Sequence, residues 1–313
     1  MDVSEPLPKS LGELFSDATA LMRAHLSTVF ALSLPFVAVE LLLREAASAF
    51  FHDVRRAIGP DPSKASEALA ELGGALGIAV ALLVASRIAV QMATAAATLF
   101  TRDALTGRVD PPLVVVRRAL VFVPRVLVEE AIFFFLLGVV VVAPAVGILV
   151  APFFFESPLA FLLALPVALG WIVVTGISLF LRVLLAPQLI VVEGLAPIAA
   201  LVRSSRLMRA NGETMGERPK FRVSILLLVY WALASSIQGT FLIPVLVIGL
   251  MQGLSLTELP PPLTAIPLAA SIPLALVQVL ANAVVLPLAG LLPTLFHADL
   301  LVRRGEPSPA KSA

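Results

Sequence analysis

The chain has 313 residues, of which 59% are hydrophobic and 14% are charged, and its mean hydropathy is +1.01. These values lie far outside those of soluble domains and exclude an ordinary soluble globular protein. The 22 Lys and Arg nearly balance the 21 Asp and Glu, and cysteine is absent. The missing cysteines exclude a disulfide, a Cys-ligated metal site and a thiol nucleophile.

Six apolar stretches are long enough to cross a bilayer, which takes about 20 mainly apolar residues per helix. In chain order they run over residues 26–48, 74–100, 131–155, 159–190, 222–252 and 265–296. A spanning segment must satisfy its own backbone hydrogen bonds, so we predict helices even where Val and Phe abound. The predicted fold class is all-α, a polytopic integral membrane protein with one membrane domain over 1–313 and a short disordered tail over 306–313.

A short candidate helix precedes each odd-numbered span. Ser10 and Glu13 form a capping-box pattern, Asp110 is an N-cap candidate followed by Pro111, and Pro197 is placed at another first helical position. In the first of these helices the apolar residues recur at helical spacing: Leu11, Leu14, Phe15, Ala18, Leu21 and Met22. Such stripes predict amphipathic helices that lie in the membrane interface.

One acidic motif recurs after the second, fourth and sixth spans. It reads Leu, Phe or Ile, two variable residues, an acid, one residue and Leu. Its acids are Asp103, Glu193 and Asp299. The recurrence predicts three parallel two-helix repeats over about 9–105, 106–195 and 196–305. We expect each acid to meet a basic or backbone donor group near the start of a neighbouring short helix; three solvated carboxylates are the alternative.

Basic residues predict the orientation of the spans. Lys and Arg concentrate in segments 1–25, 101–130 and 182–222 and in the tail, whereas the other side holds Arg44, Arg55, Arg56 and Lys64. By the positive-inside rule both termini are cytoplasmic. A cleavable signal peptide is the competing interpretation of the N-terminus, and the acidic residues ahead of the first span disfavour it.

Charged and small residues inside the spans predict internal contacts. Glu40 and Arg87 lie at matching depth on the first two spans, which predicts an intramembrane ion pair; a proton or substrate relay is the alternative. Small residues recur at every fourth position of the second span: Gly73, Gly77, Ala81, Ala85, Ala89, Ala93 and Ala97. They predict a tightly packed helix within the chain, and oligomerisation through Gly73 and Gly77 is the alternative. Prolines in the last span predict either simple bends or a broken helix that lines a cavity.

The third short helix carries the candidate lipid contacts. Ile198 and Val202, with Leu201 and Met208, are predicted to form its apolar side. Arg203, Arg206 and Arg209 are candidates for contact with anionic lipid, and ordinary positive-inside anchoring is the alternative. No catalytic, cofactor-binding or metal-ligating motif is present in the sequence.

Two segments resemble a known family. Residues 186–194, Ala-Pro-Gln-Leu-Ile-Val-Val-Glu-Gly, followed by Ala199–Leu207, are similar to a stretch of bacterial six-span proteins related to the glycerophosphoryl diester phosphodiesterase membrane domain. The ending Leu295–Glu306 resembles that family's terminal motif and departs from it at Phe296, His297 and Leu301. The resemblance implies a membrane module of the bacterial cytoplasmic membrane. Phosphodiesterase activity is not expected, because this sequence holds no phosphodiesterase domain.

The sequence therefore predicts a non-enzymatic membrane module that organises lipid or a protein partner at the cytoplasmic leaflet. The alternative is a small transporter or lipid permease with a path between the repeats. Expected partners are membrane lipids and either another membrane protein or a second copy of the chain, with no nucleic acid and no cofactor.

The predicted orientation is testable with reporter fusions. Reporters placed after Leu105, Glu217 and Ala313 are expected to report the cytoplasm, and one near Ser63 the outside, because basic loops stay on the cytoplasmic side. Activity of paired phosphatase and fluorescent-protein fusions measures this. A cytoplasmic signal at Ser63 would contradict the six-span arrangement.

Overall fold

The computed structural model describes residues 8–58, 65–155, 158–209, 217–251 and 267–306. Every element in these ranges is helical. Lys64, Ser63 and the predicted tail beyond Glu306 lie outside the described residues.

The helices follow one another in a simple order along the chain. They are α1 Leu11–Ala24, α2 Leu26–Ile58, α3 Ala65–Leu105, α4 Pro112–Ala119, α5 Val123–Leu137, a π-helical segment Gly138–Val142, α6 Ala143–Phe155, α7 Pro158–Val183, α8 Ala186–Val192, α9 Pro197–Leu207, α10 Pro219–Met251 and α11 Leu268–Arg303.

Six stretches of these helices are long and apolar enough to cross a membrane, which confirms the predicted number. They are Leu26–Ala49, Gly77–Leu105, Val123–Phe153, Leu162–Val192, Pro219–Ile248 and Ala269–Arg303. The third begins eight residues earlier than expected, since Pro124 lies in the first turn of α5. The last continues to Arg303, so its acidic motif is helical rather than part of a following loop.

The chain forms two compact units. The first comprises Met1–Phe15, Leu120–Leu227 and Pro293–Ala313, and the second Ser16–Ala119 and Leu228–Leu292. The first unit thus holds α5 to α9 with the start of α10 and the end of α11. The second holds α2 to α4 with most of α10 and α11.

The small residues of α3 bring a second helix close in the second unit. Ala93 and Ala97 are buried, whereas Gly77 and Ala81, which belong to the same row of small residues but lie nearer the start of α3, are exposed. A Cβ atom added to Gly290 of α11 would lie 2.8 Å from both the Cβ of Ala97 and the carbonyl oxygen of Thr94. The backbone of α11 therefore lies directly on α3, as small residues in membrane helices allow.

The prolines of the last span do not break its helix. Pro273, Pro287 and Pro293 all lie within continuous α11. Pro287 has no N–H to donate to the carbonyl oxygen of Ala283, four residues earlier. The hydroxyl of Ser33 on α2 lies 2.8 Å from that oxygen and donates to it. A neighbouring helix thus supplies the hydrogen bond that proline removes, which is how membrane helices tolerate proline.

Helix α1 begins at the predicted capping box. The backbone N–H of Glu13 donates to the Ser10 hydroxyl at 3.3 Å, and the N–H of Ser10 donates to the Glu13 carboxylate at 2.5 Å. These hydrogen bonds, led by the one from the Ser10 backbone, lower the pKa of the Glu13 carboxyl. The centre of the apolar stripe of α1 is buried inside the protein, with Leu14 1% and Ala18 0% exposed. That part of the stripe packs on the protein and is not available to lipid.

Replacing Gly290 by Ala tests the close approach of α11 to α3. The added methyl group has to displace Ala97 or the α3 backbone, so we expect a loss of about 1–3 kcal/mol. Thermal unfolding in detergent measures the change. Gly239→Ala on α10 is the matched control, because its added Cβ would meet no atom within 4 Å. Equal stability of the two variants would contradict the packing.

Candidate functional site

Asp299 lies at the centre of a buried polar cluster in the first unit. Its carboxylate accepts hydrogen bonds from the backbone N–H of Lys9 at 2.7 Å, from Arg222 at 2.5 Å and from Arg303 at 2.9 Å. The side chains of Arg222 and Asp299 are 3% and 1% exposed. The guanidinium group of Arg222 also lies over the ring of Phe296, 5.7 Å from its centroid. Three hydrogen-bond donors thus fix this buried carboxylate in place.

The same cluster binds the chain just ahead of α1. The carbonyl oxygen of Lys9 accepts hydrogen bonds from Arg222 at 2.6 Å and from Arg303 at 2.9 Å. Both backbone polar groups of Lys9 are therefore bound: Asp299 accepts from its N–H, and Arg222 and Arg303 donate to its carbonyl oxygen. Asp299 thus meets a backbone donor near the start of a short helix.

Glu193 occupies the corresponding position after α8. The Glu193 carboxylate lies 3.0 Å from Nε2 of His297 and 3.9 Å from Nε of Arg203. Burial by itself raises the pKa of Glu193, but the hydrogen bond from His297 and the charges of His297 and Arg203 outweigh it, so the pKa is lowered. Glu193 is consequently an ionised carboxylate that connects α9 with the end of α11.

Asp103 forms the third contact, inside the second unit. Its carboxylate accepts hydrogen bonds from Arg102 at 2.8 Å and from Arg118 at 2.7 Å, and Arg118 also binds Asp110 at 2.7 Å. Asp110 was the predicted N-cap of α4, but the helix begins two residues later, at Pro112. Its carboxylate instead pairs with the guanidinium group at the far end of α4.

The three acids have one feature in common. Each contacts the short helix that follows it in the chain, or for Asp299 the segment ahead of the first one. Asp103 meets Arg118 near the end of α4 and Glu193 meets Arg203 in the middle of α9, so neither binds at a helix start. A guanidinium group on a long side chain reaches the carboxylate from farther along the helix than a backbone N–H does.

The glycines that cap the ends of α3 and α11 were not predicted from the sequence. Gly107 and Gly305 have φ of +76° and +64°, and each lies two residues beyond the last residue of its helix. The N–H of the following residue, Arg108 or Glu306, donates at 2.9 Å to a carbonyl oxygen five residues earlier. This is the Schellman cap. The sequence signal for it was a glycine soon after the last Leu of the acidic motif, two residues later at Gly107 and four residues later at Gly305.

The arginines of α9 differ in their surroundings. Arg203 forms an ion pair with Glu306 in addition to its contact with Glu193. The hydrogen bond to Glu306 raises the pKa of the Arg203 guanidinium group further. Arg206 and Arg209 are exposed, and neither side chain forms an ion pair with any residue in the described ranges. Two of the three candidate lipid contacts are therefore accessible, whereas Arg203 is held by carboxylates of its own chain.

Helices α4 and α9 each expose apolar side chains as well as an arginine, Arg117 on α4 and Arg206 on α9. On α9, Ile198 is 67% and Val202 is 46% exposed, while Leu201 and Met208 of the predicted apolar side are buried. On α4, Leu113 is 79% and Val114 is 44% exposed, and Val115, the next residue, is buried. The predicted apolar side of α9 is thus divided between the protein interior and the surface.

A polar cavity of about 150 Å³ lies among α2, α3, α10 and α11 in the second unit. Its charged lining residues are Glu40 and Arg44, whose carboxylate oxygen and guanidinium nitrogen are 3.4 Å apart. The partner that the structure gives Glu40 is therefore Arg44, one turn farther along α2. Arg87 is exposed on α3, and the predicted Glu40–Arg87 pair stays a prediction. The remaining polar lining residues are Tyr230, Gln238 and Asn282.

No group of three or more His, Asp or Glu in the described part of the chain is arranged to hold a metal ion. Comparisons with protein-family models, with curated proteins and with solved structures find no match for this chain. The resemblance to the six-span membrane-domain family accordingly stays a prediction.

Replacing Arg222 by Ala tests the Asp299 cluster. The variant removes the guanidinium group that pairs with the buried Asp299 carboxylate. Breaking a buried pair in this way lowers the free energy of unfolding by about 3–5 kcal/mol. Urea or thermal unfolding of the full chain in detergent measures the loss. Arg218→Ala is the control, because Arg218 is exposed on the preceding turn of chain and is expected to change stability by less than about 0.5 kcal/mol. Similar losses in both variants would show that the cluster is not a structural centre.

Proposed function

We propose that the protein is a non-enzymatic integral membrane module that organises lipid at the cytoplasmic leaflet of a bacterial inner membrane. The observation that carries this proposal is the exposed face of α9. Ile198, Val202 and Arg206 follow one another at four-residue steps and are all exposed. Residues four apart lie on one side of a helix, so two aliphatic side chains and a guanidinium group share one surface.

That surface has the composition of an interfacial membrane helix. Aliphatic side chains enter the boundary between headgroups and acyl chains, and arginine attracts anionic headgroups. In water, exposed Ile and Val side chains would cost free energy that burial in the acyl region recovers. Arg209, exposed just beyond α9, adds a second positive charge on the same short segment.

Helix α4 supports the same interpretation from the other unit. Leu113 and Arg117 are both exposed and four residues apart, and Val114 is exposed next to Leu113. Val115 and Ala119 are buried and attach the helix to its unit. Two short helices with proline at their first position thus expose aliphatic residues beside an arginine.

The contacts of the motif acids help to fix the orientation of α4 and of α9, each within its own unit. Asp103 accepts a hydrogen bond from Arg118 of α4 at 2.7 Å, and the Glu193 carboxylate lies 3.9 Å from the guanidinium group of Arg203 on α9, within ion-pair distance only. A short helix held by a charge-assisted contact keeps one side toward the protein, so its other side stays toward lipid. The recurrence of this contact also supports the proposed three parallel repeats, with α1, α4 and α9 as their leading helices. The positive-inside distribution of Lys and Arg supports cytoplasmic termini.

Transport is the second candidate, and the polar cavity beside Glu40 favours it. Ionisable residues inside membrane spans often mark the paths of ions or substrates. A solute flux into vesicles that depends on Glu40 would support transport. A lipid preference that depends on Arg206 supports the lipid-organising module.

The lipid proposal is tested by the preference of the reconstituted protein for anionic lipid. The protein is placed in phosphatidylcholine vesicles with spin-labelled phosphatidylglycerol or phosphatidylcholine, and electron spin resonance measures the motionally restricted fraction of each. We expect a preference for phosphatidylglycerol that falls in Arg206→Gln and falls further when Arg209→Gln is added. One arginine near an anionic surface contributes about 1 kcal/mol, or about a fivefold preference.

Arg218→Gln is the matched control, since it removes one exposed positive charge from outside α9. We expect it to change the lipid preference less than Arg206→Gln does. An equal effect of the two substitutions would show that the total charge, rather than the α9 surface, attracts the lipid. The same preference in the wild type and in the double variant would overturn the proposal.

A further inference from the structure

The polar cavity of the second unit has the chemistry of a ligand-binding site, and it is independent of the lipid-facing helices. It lies at membrane depth, because Glu40, Tyr230 and Asn282 are each within a membrane-spanning stretch. Cavities of about 150 Å³ hold a molecule the size of benzene. Dry cavities of this size are lined by aliphatic and aromatic side chains, whereas half of the described residues that line this cavity are polar or charged.

The two charges in the lining are incompletely satisfied by each other. The closest approach of Glu40 and Arg44 is 3.4 Å, longer than the 2.7–2.9 Å or so of a charge-assisted hydrogen bond. Their side chains are 15% and 36% exposed. Each charged group therefore has capacity for a further partner, and both groups line the cavity.

The neutral polar residues add to this capacity. Tyr230, Gln238 and Asn282 make no hydrogen bond to another residue that the structure describes. A phenol and two carboxamides provide both donors and acceptors. Polar groups at membrane depth cost free energy unless they are hydrogen-bonded, and lipid chains cannot supply the bonds.

We propose that this cavity binds a small zwitterion that carries an ammonium group and a carboxylate. Glu40 binds the ammonium group and Arg44 binds the carboxylate, while Tyr230, Gln238 and Asn282 bind the remaining donors and acceptors. A ligand with one charge would leave either Glu40 or Arg44 with only its existing partner and would bring a net charge into a low-dielectric site. A zwitterion of no net charge matches both groups at once.

Four probes of nearly equal size separate the charge requirements. They are alanine, propionate, ethylammonium and propionamide, which carry both charges, the negative charge, the positive charge and no charge. Isothermal titration calorimetry on the full chain in maltoside detergent measures their affinities. We expect saturable binding of alanine, and binding at least about tenfold weaker for the other three. A repeat in nanodiscs with phosphatidylethanolamine shows by competition whether its zwitterionic headgroup occupies the same site.

Changes of ligand preference give a result that misfolding cannot produce. Glu40→Gln is expected to weaken alanine binding at least tenfold and to strengthen propionate binding, because Arg44 then lacks its carboxylate partner. Arg44→Gln is expected to strengthen ethylammonium binding for the converse reason. Gln238→Ala, at an exposed position of α10, is expected to weaken alanine binding without a change in thermal stability. Arg23→Gln, on α1 and outside the cavity lining, is the matched control and is expected to bind alanine as the wild type does.

Three results would overturn the proposal. The first is the lack of saturable binding of alanine to the folded wild-type chain. The second is propionamide binding as tight as alanine binding, which would make the cavity a site for neutral amides. The third is a pair of folded Glu40→Gln and Arg44→Gln variants whose probe preferences equal those of the wild type.

Discussion

A bilayer offers no hydrogen bonds, and this constraint determines most of what is distinctive in the structure. Each polar group in a span has to find its partner in the protein or in a bound ligand, because lipid chains supply none. Ser33 satisfies the carbonyl oxygen of Ala283 that Pro287 leaves without an N–H partner, and α11 therefore passes through its prolines unbroken. The same constraint explains why Asp299 is surrounded by Arg222, Arg303 and the Lys9 backbone. An ionised carboxylate that is 1% exposed would otherwise cost several kcal/mol to bury.

The sequence predicted the elements that depend on local patterns. Length and hydropathy gave six spans, and the Ser10 and Glu13 pattern gave the cap of α1. The row of small residues gave a helix, α3, that the backbone of α11 approaches closely. These signals succeed because each depends on residues of a single helix. The third span was predicted to start at residue 131, after Glu129 and Glu130, although α5 already runs through both acids.

The identity of side-chain partners was harder to predict. Counting residues from the end of a span gives the depth of Glu40, but depth is one coordinate, and the rotation of each helix about its axis is another. Arg44 lies one turn away from Glu40 on the same helix. Residues four apart face the same side of a helix, so this contact does not depend on how a second helix is rotated about its axis. The three motif acids show the same limit. Their recurrence predicted that they have partners. Which guanidinium group each acid meets depends on the position and rotation of α4 or α9 within its unit.

The short helices illustrate why an apolar stripe does not by itself identify a lipid contact. Leu14 and Ala18 of α1 are buried in the protein, whereas Ile198 of α9 and Leu113 of α4 are exposed. A hydrophobic stripe shows only that one side of a helix avoids water, and packing decides whether protein or lipid covers that side. The lipid assignment therefore depends on the aliphatic side chains that remain exposed after packing, together with an arginine on the same surface. By this criterion α4 and α9 are candidates for membrane contact, and the buried stripe of α1 acts as a structural anchor.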